Sequence, residues 1–203
     1  MRKLVIVIFS VFFCGVLYAA DIIDEWDWVV PPTKPELYDF EVDNSTALLI
    51  LDIEQLTCNK ERRPRCLDSV PSISFLLNKA RDKGVFVAYS LTPKGTKDTI
   101  LKEVTPLGNE TIVNSSVNKF FKTDLDKILK EKGVTKLIIT GTAANGAVLF
   151  TATEAAQRGY YIVVPVDTIS ADLFSEQAAV HTLLNGPGTR GKVLLTRSNM
   201  IKF

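Results

Sequence analysis

The chain is predicted to fold as a three-layer α/β/α domain around a parallel sheet. Two observations lead there. Short apolar runs alternate with segments of helical spacing from residue 47 onward, and such alternation builds βαβ units with helices on both faces of the sheet. The first run, Ala47-Leu48-Leu49-Ile50-Leu51, is apolar without a break, as in a strand buried on both sides. A third observation says where to look for chemistry. The stretch Gly141-Thr142-Ala143-Ala144-Asn145-Gly146-Ala147-Val148 joins the apolar run 136–140 to a helix. Such glycine-punctuated strand-to-helix turns present backbone N–H groups to the crevice at the strand ends.

The elements follow in order. After strand 47–51, helical spacing runs from Val70 to Arg81 with Gly84 as its stop. Val85–Tyr89 is the second strand and Ile112-Val113 a short third. Thr123 is placed to cap a helix through Lys132 that ends at Gly133. Strand 136–140, helix 148–157, strand 161–166, helix 171–184 and strand 192–196 complete six strands. Right-handed crossovers then leave few topologies. Candidate chemistry falls at three strand ends: Asp52, the segment Asn114–Phe121, and Ala143–Ala147.

Residues 1–20 read as an export signal. Arg2 and Lys3 precede an apolar run from Leu4 to Leu17, and small residues lead into Asp21. The run is shorter than the ~20 residues a spanning helix needs. Bulky Phe12 and Phe13 argue against lipid attachment at Cys14. Residues 21–44 are expected to form an extended arm, because Pro31, Pro32 and Pro35 block regular pairing. Trp26 and Trp28 would dock it on this subunit or a neighbouring copy, and an oligomer is expected. Residues 45–203 form the domain.

Composition excludes several classes. The formal charge of +1 becomes −1 without Arg2 and Lys3, so nucleic acid or an anionic membrane has no basic footprint to meet. The sole histidine, His181, cannot furnish a zinc or other His-based metal site, and no cofactor is expected. There is neither a phosphate-binding P-loop nor a dinucleotide fingerprint. In an exported chain, Cys58 and Cys66 read as a disulfide closing a polar loop, worth about 2–3 kcal/mol in the chain-entropy model.

Four stretches together resemble the isochorismatase-like (cysteine hydrolase) family: 47–52, Phe120-Phe121-Lys122-Thr123-Asp124-Leu125, 141–152, and Ala155–Tyr160 leading to Val164-Pro165-Val166-Asp167. The resemblance spans about residues 45–197 and implies a six-stranded parallel sheet in Rossmann-like order. It also implies an Asp–Lys–Cys triad, in which a thiolate attacks a small amide-like substrate and turn amides stabilise the oxyanion. Asp52 matches the Asp. Counting back from Phe120 puts the Lys position at Asn114, with Lys119 the nearest lysine and a possible substitute. The Cys position is Ala147, so a thiolate mechanism there is excluded. The turn residues Ala143, Ala144 and Ala147 would form the oxyanion site, and Gln55, Ser90, Phe120 and Asn145 would touch substrate.

True isochorismatases resemble this chain in having a small residue at the Cys position, and they cleave a vinyl ether by acid catalysis. Their residues after Gly141 are larger, however, and include an aromatic and a histidine. Isochorismate itself is not expected outside the cytoplasm. Three readings stand: a hydrolase acting on a C–N or vinyl-ether-type bond with Asp52 as acid/base, an inactive domain that binds a small ligand, or an exported protein whose arm serves assembly.

Overall fold

The structure is a computed structural model that describes residues 19–203. The expected export signal falls almost wholly on residues outside those described, as does Cys14. The chain divides into two units, one up to Lys34 and one from Pro35 to Phe203. In the first, Asp21 accepts hydrogen bonds from the backbone of Ile23 and Asp24, and Trp26–Trp28 wind into a 3₁₀ turn. This segment is therefore partly coiled where an extended arm was expected. The rest of the expected arm belongs to the domain. Tyr38 donates its backbone N–H to Leu195, and strand β1 (Phe40–Glu41) anticipates a parallel pairing with the chain's last two strand residues.

The domain continues as β2 (Thr46–Leu51), α1 (Pro64–Asp82), β3 (Phe86–Leu91), β4 (Thr111–Asn114), α2 (Leu125–Glu131), β5 (Lys136–Thr142), α3 (Leu149–Gln157), β6 (Tyr161–Pro165), β7 (Ile169–Ser170), α4 (Leu173–Asn185), β8 (Val193–Thr196) and β9 (Ile201–Lys202). The main sheet runs β4-β3-β2-β5-β6-β8, all parallel, with β7 added to β5. All six expected strands are present. The alternation of β2 shows why three layers form: Ala47, Leu49 and Leu51 face the core under α2, α3 and α4, while Leu48 and Ile50 face the core under α1. A strand so placed must be apolar at every position.

Three boundaries differ from expectation for local reasons. Helix α1 starts at Pro64, six residues before Val70. Proline suits a first helical turn, where its missing N–H would be unpaired anyway, and the polar residues of that turn hid it from the apolar pattern. Thr123 is only a weak cap: its hydroxyl lies 3.4 Å from the Leu125 N–H and donates to the Lys119 carbonyl instead. Helix α4 begins after Asp172, whose carboxylate accepts the Ser175 N–H at 2.9 Å.

The Cys58–Cys66 disulfide forms, with Cα atoms 5.3 Å apart. Both cysteines are buried in the α1-side core. The bridge therefore ties a polar loop to the hydrophobic interior.

Candidate active site

The carboxyl ends of β2, β3, β4 and β5 converge on a cavity of about 200 Å³. Asp52, Thr57, Ser115, Ala143 and Ala147 line its floor and walls, and Arg62 and Arg63 stand at its side. Asp52 follows β2 in a left-handed conformation, φ 55°, one that aspartate tolerates better than most residues. Its backbone is pinned by an N–H bond to the Ser90 carbonyl and by the Thr57 hydroxyl, which donates to the Asp52 carbonyl. Beside it, Gly141 has φ 121°, and a Cβ there would sit 2.0 Å from the Leu51 carbonyl oxygen. Only glycine lets β5 approach β2 this closely at the level of the site.

The Asp52 carboxylate has two partners. Ser90 Oγ donates to Oδ1 at 2.9 Å, and Lys119 Nζ lies 2.7 Å from Oδ2. Lys119 has no solvent exposure at all. Its ammonium also donates to the carbonyls of Ser116 at 2.7 Å and Ser115 at 3.3 Å. Burial dominates the electrostatics of Asp52 and pushes its carboxyl above the ordinary carboxylate range. The Lys119 ammonium and the Ser90 hydroxyl pull it back, and the nearby Glu54 pushes it up again, leaving it raised.

Glu54 is fully buried. It accepts the Thr92 N–H at 2.9 Å and the Thr99 hydroxyl at 2.8 Å. A Cβ at Gly95 would collide with Glu54 Oε2 at 2.1 Å, so this glycine lets the 92–99 loop close over the carboxylate.

The remaining expected site residues fall as follows. The cation beside Asp52 is Lys119, the possible substitute, and its side chain is fully enclosed. Asn114, expected at the Lys position, sits at the end of β4 and donates to the Thr92 and Gly95 carbonyls; it braces the neighbouring loop. Phe120, expected to touch substrate, is a core residue stacked on Tyr160 with ring centroids 6.1 Å apart. Gln55 is exposed, its backbone N–H bonded to Thr99, and it does not line the cavity. Ser90, expected to touch substrate, does not line the cavity and instead donates to the Asp52 carboxylate. Asn145 lines an adjoining cavity of about 370 Å³ together with Arg62, Arg63 and Ala143. In the turn, Ala143 and Ala147 reach the cavity wall, whereas Ala144 is buried behind it. The Gly146 and Val148 N–H groups are both spent on the Ala143 carbonyl.

Three of the cavity's hydroxyls are committed. Thr57 donates to the Asp52 carbonyl, Ser115 to the Asn118 and Phe121 carbonyls, and Thr142 to the Ser170 carbonyl. Ala147 brings only a methyl group to the same cavity. Among the described residues, no group of three or more His, Cys, Asp or Glu is placed to hold a metal ion.

A model of the isochorismatase domain matches residues 46–196. The chain belongs to the isochorismatase family. Its matched region begins at β2 and ends at β8, so it contains every element that builds the cavity. Among similar proteins, the secreted isochorismatase effector Isc1 of Verticillium dahliae is 30% identical over 152 residues, covering 69% of this chain and 77% of Isc1. The uncharacterized isochorismatase family protein YaaI of Bacillus subtilis is 36% identical over 81 residues, 40% of this chain and 45% of YaaI. An isochorismatase family protein from Desulfovibrio vulgaris superposes with a TM-score of 0.69 at 20% identity, covering 77% of this chain and 96% of that one. The N-carbamoylsarcosine amidase of Thermoplasma acidophilum gives 0.65 at 21% identity, covering 76% and 97%. These structural likenesses establish the shared fold, and membership of the isochorismatase family supports a hydrolase-type function in general.

Proposed function

We propose that this isochorismatase-family chain hydrolyses a small molecule by acid–base catalysis at Asp52, with no covalent enzyme intermediate, and that a vinyl-ether-type bond suits the site better than a C–N bond. One observation carries the reading: a buried carboxyl pushed above its ordinary range lines a cavity to which Ala147 brings only a methyl group. Thiolate-type amide hydrolysis needs a nucleophile at the turn, where Ala147 supplies none, and the hydroxyls of Thr57, Ser115 and Thr142 are already donated to carbonyls. A vinyl ether needs only an acid. The Asp52 carboxyl gives its proton to the terminal vinyl carbon, and the positive charge spreads onto the ether oxygen. Water adds to the carbon bearing that oxygen and returns a proton to Asp52. The hemiketal C–O bond then breaks, the hemiketal hydroxyl passing its proton to the departing oxygen, to release a ketone and an alcohol. The Lys119 ammonium and Ser90 hydroxyl stabilise the carboxylate that exists between the two proton transfers.

The test is turnover of a panel of enol ethers, amides and ureas, read by mass spectrometry. An enol ether should be cleaved, with the released alcohol free of label in ¹⁸O-water. Asp52→Asn should lower that rate by at least about a hundredfold. Unchanged turnover in Asp52→Asn would remove the reading. Binding without any turnover would favour the second reading, a ligand-binding domain, to which the same Ala147 methyl lends support. Export is part of the proposal. It is supported by the N-terminal pattern of the sequence, the buried disulfide and the likeness to the secreted effector Isc1, and a mature chain starting near Asp21 would be its signature.

A further inference from the structure

We infer that the disulfide-closed loop 58–66 is an anion-recognition element, and that Arg63 with Arg62 binds a carboxylate carried by the substrate. The loop holds Arg62, Arg63 and Arg65 within nine residues. Arg65 is already satisfied, because Glu176 grips it with contacts of 2.9 and 2.6 Å. Its two neighbours are not. Neither appears in any ion pair among the described residues. Arg62 donates to the Leu56 carbonyl at 3.0 Å and Arg63 reaches the Thr57 carbonyl at only 3.4 Å. Both line the Asp52 cavity and also the adjoining one of about 370 Å³.

Arg63 is half-buried. A guanidinium partly withdrawn from water beside a second one, with no ion-pair partner in contact among the described residues, is an arrangement that an incoming anion relieves. The same burial and the like charge of Arg62 hold Arg63 below its ordinary basicity, against the opposing pull of Asp52. The first turn of α1 adds its positive end at the same spot, directly after Arg63. A guanidinium fork matches the planar oxygens of a carboxylate two bonds at a time. The disulfide anchors both ends of the loop in the core, so the arginines are held where they serve.

The inference deepens the reading of this crevice as a small-molecule site. Its test uses equilibrium binding, so it can fail while turnover stands, and the converse. The probes are benzoate, its neutral isostere benzamide and inorganic phosphate, titrated into the intact oxidised protein by calorimetry. Benzoate should bind at least tenfold tighter than benzamide or phosphate. Arg63→Gln should weaken benzoate at least tenfold and Arg62→Gln by less, with benzamide unchanged in both. Asp52→Asn should retain benzoate binding even where it abolishes turnover. The paired change Cys58→Ala with Cys66→Ala should weaken benzoate in protein whose circular dichroism is unaltered. Equal binding of benzoate and benzamide, tighter binding of phosphate, no benzoate binding at millimolar concentration, or an Arg63→Gln variant of unchanged affinity would each overturn the inference.

Discussion

The two ends of the sheet each carry a lysine–aspartate pair, and they behave in opposite ways. At the carboxyl ends, Lys119 and Asp52 lie 2.7 Å apart with side-chain exposures of 0% and 7%. At the amino ends, Lys136 and Asp43 form an equally close pair with exposures of 33% and 48%. Burial lifts the Asp52 carboxyl above its ordinary range. Asp43 is held below it, chiefly by the hydrogen bond from Lys136. Asp43 also borders a larger cavity, about 430 Å³, but the side chains there include no enclosed acid. Cavity size does not separate the two ends. Desolvation of the pair does, because burial pushes the Asp52 carboxyl upward while the exposed Asp43 is held down.

The comparison can be broken in four ways. Lys119→Met should have the largest effect. It strands a buried carboxylate and two carbonyls, at about 3–5 kcal/mol in urea unfolding. The penalty should grow as pH rises through the Asp52 titration, since only the ionised carboxylate misses the ammonium. Removing the bridge with the paired Cys58→Ala and Cys66→Ala changes should cost about 2–3 kcal/mol in the same measurement. The third is the pH dependence of turnover. On the proposed mechanism Asp52 acts as an acid, so the rate should hold at low pH and fall tenfold per pH unit, equivalent to about 1.4 kcal/mol, once pH exceeds the raised pKa. An active carboxylate base would give the reverse slope. Lys136→Met should have the smallest effect, below about 1 kcal/mol. What stability that pair contributes is present above the ordinary aspartate range and is lost as pH falls, the sign expected for a lowered carboxyl.

Linkage gives the opposite sign at the other end. A raised Asp52 pKa means that the folded protein holds this proton more tightly than the unfolded chain. The group's contribution to stability is therefore fullest below the ordinary aspartate pKa and declines as pH rises to the folded value.

Much of this was legible in the sequence. The apolar runs gave all six strands, because a strand covered on both faces leaves no polar position to confuse the pattern. Asp52 was legible as the first polar residue after β2, and Gly141 as the start of the turn opposite. Lys119 was harder to place. Its burial depends on the 115–119 segment folding back so that Nζ meets the carbonyls of Ser115 and Ser116, a closure with no periodicity to announce it. Counting along the chain led to Asn114 instead. Phe120 has the composition of a pocket residue, and only packing against Tyr160 shows it to be core. Arg62 and Arg63 were hidden in plain composition, since a basic loop usually reads as solvated. The signal that could have raised them was their position between two cysteines next to Asp52.

The most direct measurement is a carbon-13 NMR titration of the side-chain carboxyls, with Asp52→Asn and Asp43→Asn variants assigning the two resonances. Asp52 should titrate above the ordinary aspartate value and Asp43 below it, in one sample and one spectrum. An Asp52 carboxyl that titrates at or below the ordinary value would contradict the claim that this fold keeps an acid ready in its crevice.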